Sequence, residues 1–352
     1  APKRCGEGIS DIDIPFFGFN GNENFILKKI TGMNFILPDG REMKVIYEDY
    51  RLMVERKLFD KALAYKAADA GAKIIAKANV VDVLKKDGKI SGVKVSINGK
   101  SIDIYSKIVI ASDGVESKIA RIAGLNTTNL SKNIAPGFQY EMAGIKIDSQ
   151  KHYLYMGNKI VPRGYIWIFP KGGSVANVGI GLIEPKEKTA KEYLDDWIQT
   201  QPNLKNGSII EVNSGGIPLG GFLDKMTRDN FMVVGDAAHQ VNPLHGGGMS
   251  EAGHAGKIAA EVAIKAIKLK DTSNKILDEY NKRWWSERGN KLKKAEKYRK
   301  IYTDKLKDED IINIFKYIDE DILLELTSGR KEKIFKVLFK NPKLLLVAKY
   351  FL

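Results

Sequence analysis

Between residues 11 and 50 the apolar positions come in short runs split by turn-formers. Met33-Asn-Phe-Ile-Leu37, Pro38-Asp-Gly40 and Glu42-Met-Lys-Val-Ile46 follow one another, and the alternation predicts a β-hairpin. From Glu55 to Ala70 the spacing becomes helical, with Leu58, Phe59, Leu63 and Ala67 on one face and Gly71 as the stop. Lys73-Ile-Ile75 and Val80-Val-Asp-Val-Leu84 read as strands. A Lys86-Asp-Gly88 turn, Val93-Lys-Val-Ser-Ile97 and a brief alternation from Ile102 to Ile104 come next. Lys107-Ile-Val-Ile-Ala111 is an unbroken apolar run, as in a strand buried on both faces, and it ends at Asp113-Gly114.

From about 134 to 234 the pattern is one of alternating strands. Gly137-Phe-Gln-Tyr-Glu-Met142, Tyr165 to Phe169 and Ala176 to Leu182 predict an antiparallel sheet, interrupted by an amphipathic helix at about 189–200. After Gly248 the pattern is helical almost throughout: a small-residue-rich helix over Ala252–Lys268, a basic amphipathic stretch at 275–300, and shorter helices over 309–350. No repeat or low-complexity linker divides the chain, so the parts read as interwoven. Residues 1–133 with 231–270 form one predicted domain, 134–230 a second that is mainly sheet, and 271–352 a helical C-terminal region.

The densest chemistry lies in Phe231-Met-Val-Val-Gly-Asp-Ala-Ala-His-Gln-Val-Asn-Pro-Leu-His-Gly-Gly-Gly-Met249. It reads as a buried strand ending at Gly235-Asp236, a loop, and three glycines at the mouth of a helix. A carboxylate at a strand end accepts hydrogen bonds from hydroxyls. Glycines at a helix start bring bare N–H groups, backed by the helix dipole, up to an electron-rich oxygen. A ligand with a polyol chain and a ring that becomes anionic suits both devices, and a flavin is such a ligand. The plainer alternative is a strand–turn–helix with packing glycines.

This block resembles the second flavin-binding motif of the para-hydroxybenzoate hydroxylase superfamily, and within it that of the geranylgeranyl reductases. Pro2-Lys-Arg-Cys-Gly-Glu-Gly-Ile-Ser10 is similar to the cysteine-bearing loop near the flavin ring. Tyr165-Ile-Trp-Ile-Phe-Pro170 with Ala176-Asn-Val-Gly-Ile-Gly181 resembles the reductases' aromatic–Pro signature, and Ala111-Ser-Asp-Gly-Val-Glu-Ser-Lys118 the superfamily's Asp-Gly motif. These segments run in the family's order from residue 1 to about 260. The family opens with a strand, a G-x-G-x-x-G turn and a helix around the dinucleotide pyrophosphate. No such turn stands near Ala1, which falls where that unit is already complete. The expected fold is therefore an α/β, doubly wound FAD-binding domain lacking its first βαβ unit, with an antiparallel substrate sheet and a helical C-terminal region.

The resemblance also implies roles. Arg56, opening an Arg-x-x-x-Asp helix entry, pairs with the pyrophosphate, for which a guanidinium fork is suited; Arg51 is a nearby competitor. Val80 reads adenine through its backbone. Asp113, Gly235 and Asp236 bind the cofactor, Asp236 at the ribityl hydroxyls, while Gly247, Gly248 and Met249 meet the isoalloxazine edge. Cys5, Gly6 and Gly8 contact the flavin, the glycines letting the backbone come close; the Cys5 thiol either donates a proton or fills space, as most free cysteines do. Tyr165, Trp167 and Phe169 share one strand face. They line an apolar substrate pocket or serve as core.

Composition narrows the setting. One cysteine excludes an internal disulfide and any cysteine-based metal cluster. His152, His239, His245 and His254 lack zinc-type spacing, and no metal is expected. No apolar run reaches the roughly 18–20 residues of a spanning helix; Leu344-Leu-Leu-Val-Ala348 is short and flanked by Lys343 and Lys349. The net charge of +14 lacks the interleaved aromatics of nucleic-acid binding. It suits either an anionic membrane surface, at about 1 kcal/mol per basic residue near it, or a solvated lysine-rich exterior. The expectation is a cytoplasmic, peripherally membrane-associated FAD enzyme that reduces isolated C=C bonds of a geranylgeranyl lipid with electrons from a nicotinamide or a ferredoxin. A flavin monooxygenase acting on an aromatic, or a non-catalytic lipid-binding remnant, are the alternatives.

Overall fold

The structure, a computed structural model, describes residues 5–185 and 187–316. The chain divides into two compact units. Among the described residues, one takes those up to 63, 135–215 and those from 300 onward, the other 64–134 and 216–299.

The first unit is built on an eight-stranded sheet. In spatial order its strands are Gly8–Ser10, Glu42–Val54, Ile26–Ile36, Lys151–Met156, Gly164–Gly172, Val175–Leu182, Ile134–Ala143 and Ser208–Pro218. The hairpin predicted around Pro38-Asp-Gly40 forms, with strands reaching Ile26 and Val54. Its pairing partner is Lys151–Met156, which runs parallel to Ile26–Ile36. Alternation indicates which residues make a hairpin but not which third strand it joins, so residues grouped by sequence with the flavin-binding part stand in the sheet of 134–218. Ala190–Thr200 is the predicted amphipathic helix. Thr189 caps it, with Glu192 completing a capping box. Leu194, Trp197 and Ile198 pack with Ile166, Ile168, Val178 and Ile180, covering one sheet face.

The second unit contains a meander, Ala78–Lys86, Lys89–Ile97 and Lys100–Tyr105. Its two turns, Asp87-Gly88 and Asn98-Gly99, have positive φ at both residues. This is the type I′ signature that matches strand twist. Lys73-Ile-Ile75 is irregular rather than a strand, with Ile74 and Ile75 exposed. The predicted buried strand 107–111 shrinks to Val109–Ala111, the outer strand of a three-stranded sheet with Phe231–Val233 and Thr227–Arg228, and Ile110 is exposed. Phe231, Met232 and Val233 are fully buried with Ile258, Ala259 and Val262 of the Met249–Leu269 helix and with Leu277, Tyr280 and Trp284 of Asn274–Trp284. Asn290–Asp304 follows, and Asp308–Phe315 is assigned to the first unit. Of the helices predicted over 309–350, the part beyond 316, including Leu344–Ala348, lies outside the described residues.

Candidate functional site

In the first unit the strand Gly164–Gly172 alternates as predicted. Ile166 and Ile168 face the core under Ala190–Thr200, so Tyr165, Trp167 and Phe169 stand on the other face. Trp167 lies 5.8 Å from Tyr165 and 6.2 Å from Phe169 between ring centroids. Its neighbour across the sheet is Gly179, where any Cβ would lie 2.3 Å from the indole. The missing side chain makes room for that ring.

The Cys5–Glu7 segment packs on this aromatic face. A Cβ on Gly6 would stand 2.9 Å from the Phe169 ring, so glycine is what lets the backbone come so close. Three side chains tie the segment down. Gln139 donates to the Cys5 carbonyl at 3.1 Å and accepts from the Trp167 indole N–H at 2.9 Å. Asn177 donates to the Gly6 carbonyl at 3.2 Å and to the Glu7 carboxylate at 3.0 Å. Lys171 reaches Glu7 at 2.7 Å, Glu55 at 3.1 Å and Glu141 at 2.5 Å. Burial opposes the Lys171 charge, but the carboxylates outweigh it and hold the ammonium above the ordinary lysine range. Although these three carboxylates place oxygens within 4.8 Å of one another, the ammonium among them makes an ion cluster of the group.

Glu7 is buried with φ at +69. Its carboxylate also accepts the backbone N–H of Arg56 at 3.1 Å, at the start of the Arg56–Asp69 helix. Its own N–H donates to Cys5 Sγ at 3.2 Å. The Arg56 guanidinium holds Asp60 through Nε at 2.9 Å and Nη2 at 3.2 Å. Burial works against the Arg56 charge, yet the adjacent Cys5 and Asp60 raise its pKa. Beside Gly8, His152 packs tilted against Phe169, with ring centroids 4.4 Å apart, and meets Met53 Sδ at 3.3 Å. Burial pushes this imidazole down to about 3, aided by Arg51.

In the second unit the strand Phe231–Val233 runs into Gly235, whose φ is +67. Gln240 accepts the Gly235 N–H at 2.7 Å and donates to Tyr280 Oη at 2.9 Å, and Tyr280 donates to the Val233 carbonyl at 3.0 Å. These buried bonds fix the strand end that presents Asp236. A Cβ on Gly248 would lie 3.1 Å from Asp236 Oδ1, so the carboxylate rests against a bare Cα at the mouth of the helix. Met249 opens that 21-residue helix, with the Ala252 N–H donating to the Gly248 carbonyl at 2.8 Å. A carboxylate can accept hydrogen bonds from hydroxyls, and a helix N-terminus is a place where an anionic oxygen can be received.

The neighbouring predicted residues have local duties. Gly247 donates its N–H to His245 Nδ1 at 3.2 Å. His239, with φ at +58, turns Nδ1 to the Gly221 carbonyl at 2.7 Å and Nε2 to the Thr127 carbonyl at 3.2 Å. Burial lowers its pKa, and its contacts are polar packing. Asp113 accepts the Ile119 N–H at 2.8 Å, capping the short Lys118–Ile122 helix. Val80 pairs with Val95 in the meander.

Thus Cys5, Gly6, Trp167 and Phe169 come together in one unit, and Gly235, Asp236, Gly248 and Met249 in the other. Sequence reading missed Gln139, Asn177, Lys171 and the placement of Glu7. The available signal was polar residues within otherwise apolar strands: Gln139 and Glu141, two apart in one, and Asn177 in another.

Residues 133–217 match the geranylgeranyl reductase catalytic domain. The chain is 39% identical over 356 residues to the digeranylgeranylglycerophospholipid reductase of Methanocaldococcus jannaschii, covering 99% of this chain and 88% of that protein. It is 39% identical over 297 residues to digeranylgeranylglycerophospholipid reductase 1 of Methanococcoides burtonii, covering 83% and 72%. A geranylgeranyl bacteriochlorophyll reductase-like protein from Thermoplasma acidophilum superposes with a TM-score of 0.91 at 31% identity, over 100% of this chain and 90% of that one. Flavin-dependent halogenases share the fold at 16% identity, with TM-scores of 0.73 and 0.69. With that identity sustained over nearly the whole chain, the protein belongs to the digeranylgeranylglycerophospholipid reductase family.

Proposed function

We propose that this protein is an FAD-dependent oxidoreductase acting on CH–CH groups, which saturates the isolated double bonds of geranylgeranyl chains on archaeal ether phospholipids. The observation that carries this reading is the Cys5–Glu7 segment pinned over the Trp167–Phe169 face. An acid-bearing loop next to aromatic rings suits a substrate that is hydrocarbon where it reacts. An isoprenoid chain binds through contact area, at about 0.8 kcal/mol per buried methylene before entropic costs.

Asp236, with the bare Cα of Gly248 against it, would hold ribityl hydroxyls, and the Gly247–Met249 amides would face an electron-rich ring edge. Gly235 sets that strand end. Arg56 is assigned to the pyrophosphate; two of its five N–H donors are on Asp60. Val80 and Asp113 are assigned to the adenine side and the Asp-Gly turn. When bound and reduced, the flavin supplies the hydride equivalent for one alkene carbon. Cys5 supplies the proton for the other: its S–H bond breaks as the C–H bond forms, the electron pair stays on sulfur, and water later returns the proton. Tyr165, Trp167 and Phe169 align the chain and exclude water, which matters because an unactivated alkene has no carbonyl to polarise.

The test is a prenyl phospholipid incubated with FAD-loaded protein and dithionite, read by mass spectrometry. A gain of two hydrogens per double bond is expected. Oxygen consumption triggered by an aromatic substrate, without such a gain, would instead establish a monooxygenase. Reduction of lipid on vesicles further requires the protein to reach a membrane. The surplus of positive charge supports peripheral docking on an anionic surface. Ferredoxin or a nicotinamide is the proposed donor.

A further inference from the structure

We propose that Gln139 is a positioning residue for Cys5, and that Trp167 sets its orientation. Gln139 is 4% exposed and opposes Gly179, which in turn opposes Trp167. Because Gly179 has no side chain, Gln139 and Trp167 meet across it, Nε1 to Oε1 at 2.9 Å. An indole N–H can only donate. The Gln139 oxygen must therefore face Trp167, and its NH2 must point the other way, where it meets the Cys5 carbonyl at 3.1 Å. With that carbonyl fixed and the Glu7 N–H on Sγ at 3.2 Å, the thiol is held from both sides of its own residue. Asn177 and Lys171 anchor the following residues, Gly6 and Glu7. The aromatic that lines the substrate face thus also orients the amide that holds the acid.

This inference rests on the reading of Cys5 as the proton donor, and the test separates the two. Gln139→Met removes both bonds at similar size and without charge, and Trp167→Phe removes the orienting donor. Cys5 is the chain's single cysteine, so iodoacetamide labelling reports on it alone, with no need for turnover. Losing one ordinary hydrogen bond multiplies loop opening about five-fold, and alkylation of Q139M in flavin-free and FAD-loaded protein is expected to rise by that factor. A misplaced acid lowers kcat by up to about 100-fold, with KM expected to stay near wild type. W167F should shift alkylation in the same direction, and Q139M/W167F should be no worse than Q139M, the mark of a shared interaction. Wild-type alkylation and kcat in Q139M, or strictly additive effects in the double variant, overturn the inference. Full turnover in Cys5→Ala would sink the proton-donor reading instead, while leaving the alkylation result to judge whether Gln139 positions the loop.

Discussion

At neutral pH the His152 imidazole is uncharged, since it is buried between Phe169 and Met53 and the nearby Arg51 also opposes a proton. The unfolded chain protonates this residue near 6.5, whereas the folded protein resists until about 3. The unfolded state therefore binds more protons in that window. The contribution of His152 to stability is complete above about 6.5 and is lost as pH falls toward 3, at up to about 1.4 kcal/mol per pH unit. Urea unfolding between pH 7 and 4 should show this slope, and His152→Gln should flatten it. A second residue-level prediction concerns Gly248. A Cβ there meets the Asp236 carboxylate at 3.1 Å, and the φ of −118 is open to any residue. Gly248→Ala should thus fold with a stability change within about 1 kcal/mol, yet weaken FAD binding in a fluorescence titration. Unchanged affinity would remove Gly248 from the flavin site. The identities of these residues were visible in the sequence; their neighbours were not. Nothing in the spacing of Cys5, Gln139 and Trp167 along the chain announces that they share one hydrogen-bonded path.

For single elements, local signals and structure agree where the signal is short-range. The capping box Thr189/Glu192 and the paired positive-φ residues at Asp87-Gly88 and Asn98-Gly99 encode their elements within a few residues. Thr189→Ala should cost about 1 kcal/mol in urea unfolding without altering flavin binding; no loss would mean the helix is held by its packed face alone. The Asn98-Gly99 turn carries the same signal as Asp87-Gly88, although only the latter was read from the sequence. Where an element depends on its place in a sheet, prediction failed. The 107–111 run reads as buried on both sides, but Ile110 is exposed on one face of the strand. Leu58 was placed on the buried face of its helix, yet it is exposed and Phe59 takes the core position amid Phe17, Phe19 and Phe25. Both misreadings arise because periodicity gives a face and not the object it packs against. The Tyr280–Gln240–Gly235 bonds show an element fixed from a distance. Tyr280→Phe should lose about 1–2 kcal/mol by leaving buried groups unpaired, measurable as a lower urea midpoint.

At the level of the whole molecule, the charge of +14 gives a prediction that no single residue carries. The protein should sediment with vesicles containing anionic lipid and not with neutral ones, and salt should release it, because surface attraction decays within a Debye length of about 8–10 Å near 0.1–0.15 M. Equal binding to both vesicle types would point to apolar insertion, and binding to neither would leave the charge as a solvated exterior. Among the described residues no helix is long and apolar enough to cross a membrane. The strand, loop and glycine-opened helix at 231–249, the alternation of Tyr165, Trp167 and Phe169, and the family itself were legible in the sequence alone. Each is a local pattern of residue types, and local patterns survive without a third dimension. Only the folded chain decided that residues 8–54 join the sheet of 134–218, that a lysine sits among Glu7, Glu55 and Glu141, and that Gln139 reaches Cys5 from 134 positions away. Such contacts depend on strand order and on which side chains are absent between them. Neither is a property of any short stretch of sequence, so the tertiary structure alone could supply them.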